Sequence, residues 1–188
     1  MKKKDRRNVA GILIFVASAQ FIIALKIAEA LYPNYNVSSN YISDLGVGPS
    51  AFIFNSSVFL LGFLALISAY FLLIEKERKD FLFCLVLAGI GAMGVGIFTE
   101  DFGLLHTIFS FITFFFGALA SIFSYKTQKS TFSLLFLLLG SISLISLILF
   151  GLGADLGLGK GGMERMIAYP ILIWALGFGA YTAKEKYF

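Results

Sequence analysis

Residues 51–98 read AFIFNSSVFLLGFLALISAYFLLIEKERKDFLFCLVLAGIGAMGVGIF, two long apolar stretches separated by a charged hexapeptide. Each stretch, 51–74 and 81–98, is close to the roughly 20 apolar residues that a helix needs to cross about 30 Å of hydrocarbon. Lipid offers no partners for free backbone groups, so spanning segments of this kind are predicted to be helices. The hexapeptide at 75–80 then predicts a turn at a membrane surface.

The rest of the chain has the same apolar character. Hydrophobic residues make up 59% of the 188 and charged residues 14%, and the mean hydropathy is +0.88. A soluble domain carries about a quarter charged residues. Four further apolar stretches lie at 9–32, 106–125, 132–151 and 163–182. The sequence therefore predicts an all-α membrane protein in which residues 1–188 form one domain of six transmembrane helices, arranged as three helical hairpins.

The first span is expected to be retained. The basic segment at 2–7, KKKDRR, resembles the start of a signal peptide. The apolar run that follows is too long for one, however, and it lacks a cleavage site of small residues.

The basic residues lie mainly on one side of the predicted membrane. Twelve of the 15 Lys and Arg residues fall in the N-terminus, the 75–80 loop, the KTQK loop and the C-terminal tail, whereas the opposite loops hold Lys160 and Arg165. An excess of Lys and Arg marks the cytoplasmic side. Both termini are therefore predicted to be cytoplasmic in a multi-pass protein of the cell membrane. The net charge of +4 follows from this topology and gives no indication of nucleic-acid binding.

An acid followed by an apolar residue and glycine recurs at the three predicted outer turns. The acids are Asp44, Asp101 and Asp155, which lie 57 and then 54 positions apart. Asp and Gly are ordinary turn residues, which favours recurrent turn chemistry over an ancestral repeat. The outer side nevertheless gathers more polar residues than turns require. Because polar groups in membrane proteins concentrate where function lies, we expect the functional face on this side.

His106 is the only histidine, and it begins a polar stripe on the fourth predicted span. The stripe continues at steps of three or four residues, which places its members on one helical face: they are Ser110, Thr113, Gly117, Ser121 and Ser124. Small and hydroxylated residues let helices approach closely, so packing explains most of the stripe. A histidine near carboxylates can transfer protons or bind a divalent cation. No zinc-site spacing is present, and neither a metal site nor a cofactor is predicted.

Residues 151–162, GLGADLGLGKGG, hold six glycines just before the last span. A plain flexible loop is the simpler interpretation. Alternatively, backbone N–H groups at the helix start bind an anion, with Lys160 and Arg165 adding positive charge and a phospholipid head group as the closest candidate. Because Glu164 and Arg165 are adjacent, they point about 100° apart on a helix. Arg165 is therefore expected to pair with Asp44 or Asp101, with His106 lining the same cavity.

Lys26 and Glu29 lie three residues apart near the outer end of the first span. They can pair along the helix, and snorkelling of both side chains to the interface accounts for them. They are not assigned to the site.

Four stretches, in this order, carry a family resemblance: YPNYNVSSNYISDLG (32–46), FN (54–55), GIFTEDFGLLH (96–106) and MERMIAYPILIW (163–174). Together they resemble the membrane family called domain of unknown function 998. The resemblance implies six spans with an outer polar cluster, and a fold-level similarity to six-span families linked to lipid handling and lipid-anchor remodelling. The positions that it marks are Asn40, Ser43, Gly46, Asn55, His106, Glu164 and Arg165.

Three functional hypotheses follow. The leading one is a protein that binds or modifies lipid head groups at the outer face, with membrane lipids as partners; whether it is an enzyme is left open. The second is a non-catalytic accessory subunit packed against other membrane protein subunits, which the short loops and many phenylalanines favour. A small-solute or ion transporter ranks third, because no pair of broken helices is evident. The candidate catalytic residues are Asp44, Asp101 and His106, and the candidate binding residues are Asn40, Ser43, Asn55, Lys160, Glu164 and Arg165.

Overall fold

The computed structural model describes residues 3–128 and 133–184, and within these ranges it is helical without any strand. Six helices there are long and apolar enough to cross a membrane: α1 (Lys3–Leu31), α2 (Ala51–Ile74), α3 (Lys79–Ile97), α4 (Leu104–Ser124), α5 (Ser133–Gly151) and α6 (Gly159–Lys184). The predicted six-helix, all-α fold is confirmed. α1 and α6 begin several residues before the predicted apolar stretches, because their polar first turns continue the helix.

The helices form a closed ring in chain order. Each helix packs against the next, α6 returns to pack against α1, and α4 and α6 also touch across the interior. The turns at 32–50, 98–103 and 152–158 lie at one end of the ring, called here the distal end. The predicted hairpins are therefore present and are closed into a ring. Of the basic residues behind the predicted orientation, Lys2, Lys129 and Lys186 lie outside the described residues.

Glycines set the closest approaches between neighbouring helices. A Cβ added at Gly62 of α2 would collide with the carbonyl oxygen of Gly89 on α3, and one added at Gly11 of α1 would collide with that of Gly179 on α6. In lipid no hydrophobic force pulls helices together, so close backbone packing contributes much of their association. These two contacts hold α2 against α3 and close the ring between α1 and α6.

Buried serines cross-link the helices. Each donates its hydroxyl to a backbone carbonyl on a neighbouring helix, a bond worth roughly 0.6 kcal/mol in a membrane protein. The pairs are Ser18 with Leu172, Ser68 with Ala10, Ser121 with Phe136 and Ser143 with Ile167, at 2.7 to 2.9 Å. Ser121 belongs to the polar stripe of α4, so packing explains the half of that stripe away from the distal end.

The three acid–glycine turns share a position but not a conformation. Asp44 and Asp101 lie in short 3-10 helices, Ser43–Gly46 and Glu100–Phe102, whereas Asp155 lies in the open loop before α6. Gly103 and Gly157 have positive φ angles of 54° and 81°, a backbone conformation that favours glycine over residues with a Cβ. At Gly46, by contrast, an added Cβ would press on the Asn55 side chain. Similar hairpin length, rather than a repeated structural unit, accounts for the spacing.

Candidate functional site

A cavity of about 590 Å³ opens at the distal end of the ring. Residues of the 41–43 segment, the α3–α4 turn and helices α4, α5 and α6 line it. Thr107, Phe111 and Gly151 are exposed and stand on its rim. The cavity therefore opens sideways between α4 and α5, and we call this opening the mouth.

Two smaller chambers of about 70 Å³ each continue the cavity into the interior of the ring. The upper chamber shares lining residues with the mouth, namely Ser43, His106, Ser110, Phe114 and Glu164. The lower chamber, whose walls include Leu85 and Trp174, shares lining residues with the upper one, namely Leu61, Thr113, Ile171 and Leu172. Glu164 and Trp174 are ten residues apart on α6, or about 15 Å along its axis. A polar layer thus separates an open mouth from an apolar interior.

His106 presents a base to this cavity. The turn before α4 reverses at Gly103, and the His106 side chain reaches back so that Nδ1 lies 2.7 Å from the Phe98 carbonyl oxygen. A carbonyl only accepts, so Nδ1 carries the hydrogen and Nε2 of the neutral ring holds the lone pair. His106 is 7% exposed, and no described residue hydrogen-bonds to its Nε2. Nε2 is therefore free to accept a hydrogen bond from a molecule in the cavity that His106 lines.

Glu164 and Ser110 complete the polar layer. Glu164, also 7% exposed, accepts a short hydrogen bond from the Ile42 N–H through Oε2, while Oε1 has no partner among the described residues. The Ser110 hydroxyl, one turn after His106, likewise bonds to none of them. We call His106 Nε2, Glu164 Oε1 and the Ser110 hydroxyl the open polar layer.

Glu100 and Asp44 form a carboxyl pair beside the mouth. Glu100 lines the mouth and lies beside the side chains of Asp44 and Ser43. Burial, and then the neighbouring Asp44 carboxyl, raises the pKa of Glu100 to about 6. Asp44 Oδ2 in turn accepts from Asn40 Nδ2 and the Tyr41 N–H, at 2.8 and 3.1 Å. Glu100 can therefore hold a proton up to about pH 6.

Arg165 is buried but points away from the cavity. Its Nη2 donates to Glu29 Oε1 at 2.8 Å and to the Tyr35 hydroxyl at 2.7 Å. The expected pairing with Asp44 or Asp101 is wrong: the acid comes from α1, the neighbour that closes the ring against α6. With its charge paired in this way, Arg165 holds other protein groups and does not line the cavity.

The same arginine fastens the 36–41 segment to α6. Nη1 donates to the carbonyl oxygens of Val37, Asn40 and Gly161, at 2.9 to 3.3 Å. Burial raises the pKa of Tyr35 to about 12, so its hydroxyl stays protonated and donates to the Tyr41 carbonyl oxygen at 2.6 Å. These bonds position the chain that leads into Ile42 and Ser43 at the cavity.

The predicted site residues divide into two groups. Ser43, His106 and Glu164 line the cavity, and the Lys160 Nζ lies 4.3 Å from the centre of the Tyr41 ring at the mouth. The others lie outside the lining: Asn40, Asp44, Asn55, Asp101 and Arg165.

Residues outside the lining have different surroundings. Asn55 Nδ2 donates to the Gly46 carbonyl oxygen at 2.8 Å and so fixes the turn before α2. Asp101 is exposed, and its neighbour Glu100 takes the position in the mouth. In the part of the chain that the structure describes, no three His, Cys, Asp or Glu side chains are grouped to hold a metal.

Sequence reasoning missed four residues of this region: Glu29, Tyr35, Glu100 and Ser110. Ser110 had a usable signal, since it lies one turn from His106 on the same helical face. Glu100 was overlooked because the acid–glycine pattern drew attention to Asp101. Glu29 had an alternative explanation in its i, i+3 pairing with Lys26, which is present at 2.8 Å.

Comparison with known proteins identifies the family. A family model described as protein of unknown function (DUF998) matches residues 15–181, so the chain belongs to this family. The resemblance seen in the sequence is thereby confirmed. No curated protein and no solved structure matches the chain.

The first prediction concerns the Arg165–Glu29 ion pair. Glu29→Gln leaves a guanidinium that is 4% exposed without a counter-charge. We expect the free energy of unfolding in mixed micelles to fall by about 3 kcal/mol. Lys26→Met is the matched control, because it removes the other partner of Glu29. The Lys26 side chain is 59% exposed, so its loss should cost less than about 1 kcal/mol. Equal losses of stability in the two variants would contradict the role of Glu29 as the counter-charge of buried Arg165.

The second prediction concerns the pH dependence of stability. Because the pKa of Glu100 is higher in the folded protein than its ordinary value of 4.5, the folded state binds this proton more tightly. The free energy of unfolding should therefore fall as pH rises from about 4.5 through about 6. Glu100→Gln should flatten the dependence of the free energy of unfolding on pH in this range. Asp101→Asn, which removes the neighbouring exposed acid, should leave that dependence unchanged. Thermal unfolding measured across this range distinguishes the two outcomes.

Proposed function

We propose that this DUF998 protein binds a membrane lipid with its head group in the distal cavity and its alkyl chains passing between α4 and α5. The observation that carries the proposal is the open polar layer, which lies inside a mouth walled largely by phenylalanine and leucine side chains and above an apolar interior. Ligand sites are typically apolar cavities with a few placed polar groups. A ligand with one polar and one apolar part matches this division.

The position of the mouth supports entry from the bilayer. Its walls include Phe111 of α4 and Leu147 and Phe150 of α5. Phe111 lies five residues after His106, or about 7 Å along α4. A lipid can therefore keep its chains in hydrocarbon while its head group reaches the polar layer.

The chemistry of the layer suits proton transfer at the head group. Neutral His106 holds its Nε2 lone pair toward the cavity, and the Phe98 carbonyl would stabilise the imidazolium formed when Nε2 takes a proton. A head-group hydroxyl or a water molecule can supply that proton. Glu100, whose pKa is about 6, provides a nearby site that can exchange protons with the cavity. The proposal gives no role to Asp101, because this exposed acid does not line the cavity.

We also propose that the distal end faces the outside of the cell and the termini face the cytoplasm. The supporting observation is the excess of Lys and Arg at the end opposite the cavity. The lipid would then come from the outer leaflet.

The third prediction tests this orientation. In intact cells an impermeant thiol reagent should label Asp155→Cys, which lies in the exposed loop before α6, and should spare Lys126→Cys at the opposite end. The native Cys84 is buried and serves as the internal blank. The reverse labelling pattern would place the cavity on the cytoplasmic side.

The fourth prediction tests lipid binding. Gly151 stands on the rim of the mouth, and an added Cβ there meets no atom within 4 Å, so Gly151→Trp is expected to fold and to obstruct the opening. Phospholipid that co-purifies with the protein, measured by mass spectrometry, should fall several-fold. Leu152→Trp, at a neighbouring residue that is 77% exposed and outside the lining, is the matched control and should retain its lipid. Retention of lipid by both variants would refute entry through this mouth.

A further inference from the structure

We infer that the cavity selects a phospholipid whose head group ends in a primary ammonium group, as in a phosphoethanolamine head group. This inference rests on the proposed function and specifies the ligand of that site. Its basis is the charge balance and the hydrogen-bonding capacity of the cavity.

Acids dominate the surroundings of the mouth. Glu164 and Glu100 line it, and Asp44 lies directly behind Glu100. Within the described residues none of the three forms a salt bridge. The cation next in sequence to Glu164 is Arg165, but its charge is paired with Glu29. A buried carboxylate without a counter-charge favours a cationic ligand group, and the same field opposes an anion at this depth.

The open polar layer consists mainly of acceptors. His106 Nε2 carries a lone pair in the tautomer fixed by Phe98, and Glu164 Oε1 is a carboxyl oxygen without a partner among the described residues. Both residues are more than nine-tenths buried, and both line the cavity. The Ser110 hydroxyl adds a third acceptor. A primary ammonium carries three N–H donors, which matches the layer, whereas a choline ammonium carries none.

The positive charge at the rim fits the other half of this head group. Lys160 is exposed at the start of α6, with its Nζ over the Tyr41 ring, and it makes no salt bridge within the described ranges. A lysine at this position can receive the phosphate, while the ammonium reaches inward to Glu164. A serine head group would add a carboxylate to an already acidic mouth. The combination therefore favours ethanolamine over choline, glycerol and serine.

The experiment is lipid exchange followed by native mass spectrometry. The full-length protein is incubated in mixed micelles with phosphatidylethanolamine, phosphatidylcholine and phosphatidylglycerol of identical acyl chains. Wild type should bind the ethanolamine lipid about tenfold more tightly than the other two, which is the effect of one hydrogen bond to a charged group. Glu164→Gln keeps an oxygen for the Ile42 N–H but removes the charge, and it should abolish most of this preference.

Asp155→Asn is the matched control. It removes one negative charge from the same end of the molecule but keeps the side-chain oxygen that accepts from the Gly157 N–H, and it should retain the preference. If Glu164→Gln does not fold, Glu100→Gln is the substitute variant, because Glu100 lies in a partly exposed turn. It should weaken the preference for the ethanolamine lipid.

The outcomes separate this inference from the proposed function. Equal binding of the ethanolamine and choline lipids by wild type, or preference for phosphatidylglycerol, would overturn the head-group assignment but leave lipid binding standing. Failure to bind any of the three lipids would overturn both.

Discussion

The buried ion pair between Arg165 and Glu29 is the interaction on which the distal end depends. It joins α6 to α1, the two helices that close the ring, and the same guanidinium donates to the carbonyl oxygens of Val37 and Asn40. A loop without regular structure is thereby fixed where lipid head groups would otherwise compete for its backbone. Gly161 strengthens the contact: its N–H donates to the Ser38 carbonyl oxygen, and an added Cβ would collide with the chain.

Fixing this segment also builds the cavity. The chain that leaves Asn40 passes through Ile42, whose N–H donates to Glu164, and through Ser43, which lies beside Glu100 in the turn before α4. One wall of the mouth is thus tied to α6 and to the turn before α4. Glu164 and Arg165 are neighbours in sequence, but Glu164 lines the cavity whereas Arg165 binds Glu29 of α1. Because they point about 100° apart on the helix, one is neutralised by α1 while the other remains without a counter-charge at the cavity.

The sequence predicted the six helices well because the physics that places them is local. An apolar run of about 20 residues has few alternatives in lipid, and the end points of α2 and α5 followed directly. The cavity was only partly predictable. His106 and Glu164 could be found because a lone histidine and an acid stand out in an apolar chain. Glu29 could not be identified as the partner of Arg165, since that pairing depends on ring closure between residues 136 positions apart.

The place of the mouth follows from how α4 and α5 pack. In the half of this interface away from the distal end the helices are held tightly: an added Cβ at Gly140 would collide with the Ala118 carbonyl oxygen, and Ser121 donates to the Phe136 carbonyl oxygen. Toward the distal end the facing residues become bulky, with Phe111 and Phe114 on one side and Phe150 on the other. Side chains of this size cannot pack at the glycine distance, so the seam widens there. The polar layer begins where the seam widens, which makes the α4–α5 seam the route by which the bilayer reaches His106 and Glu164.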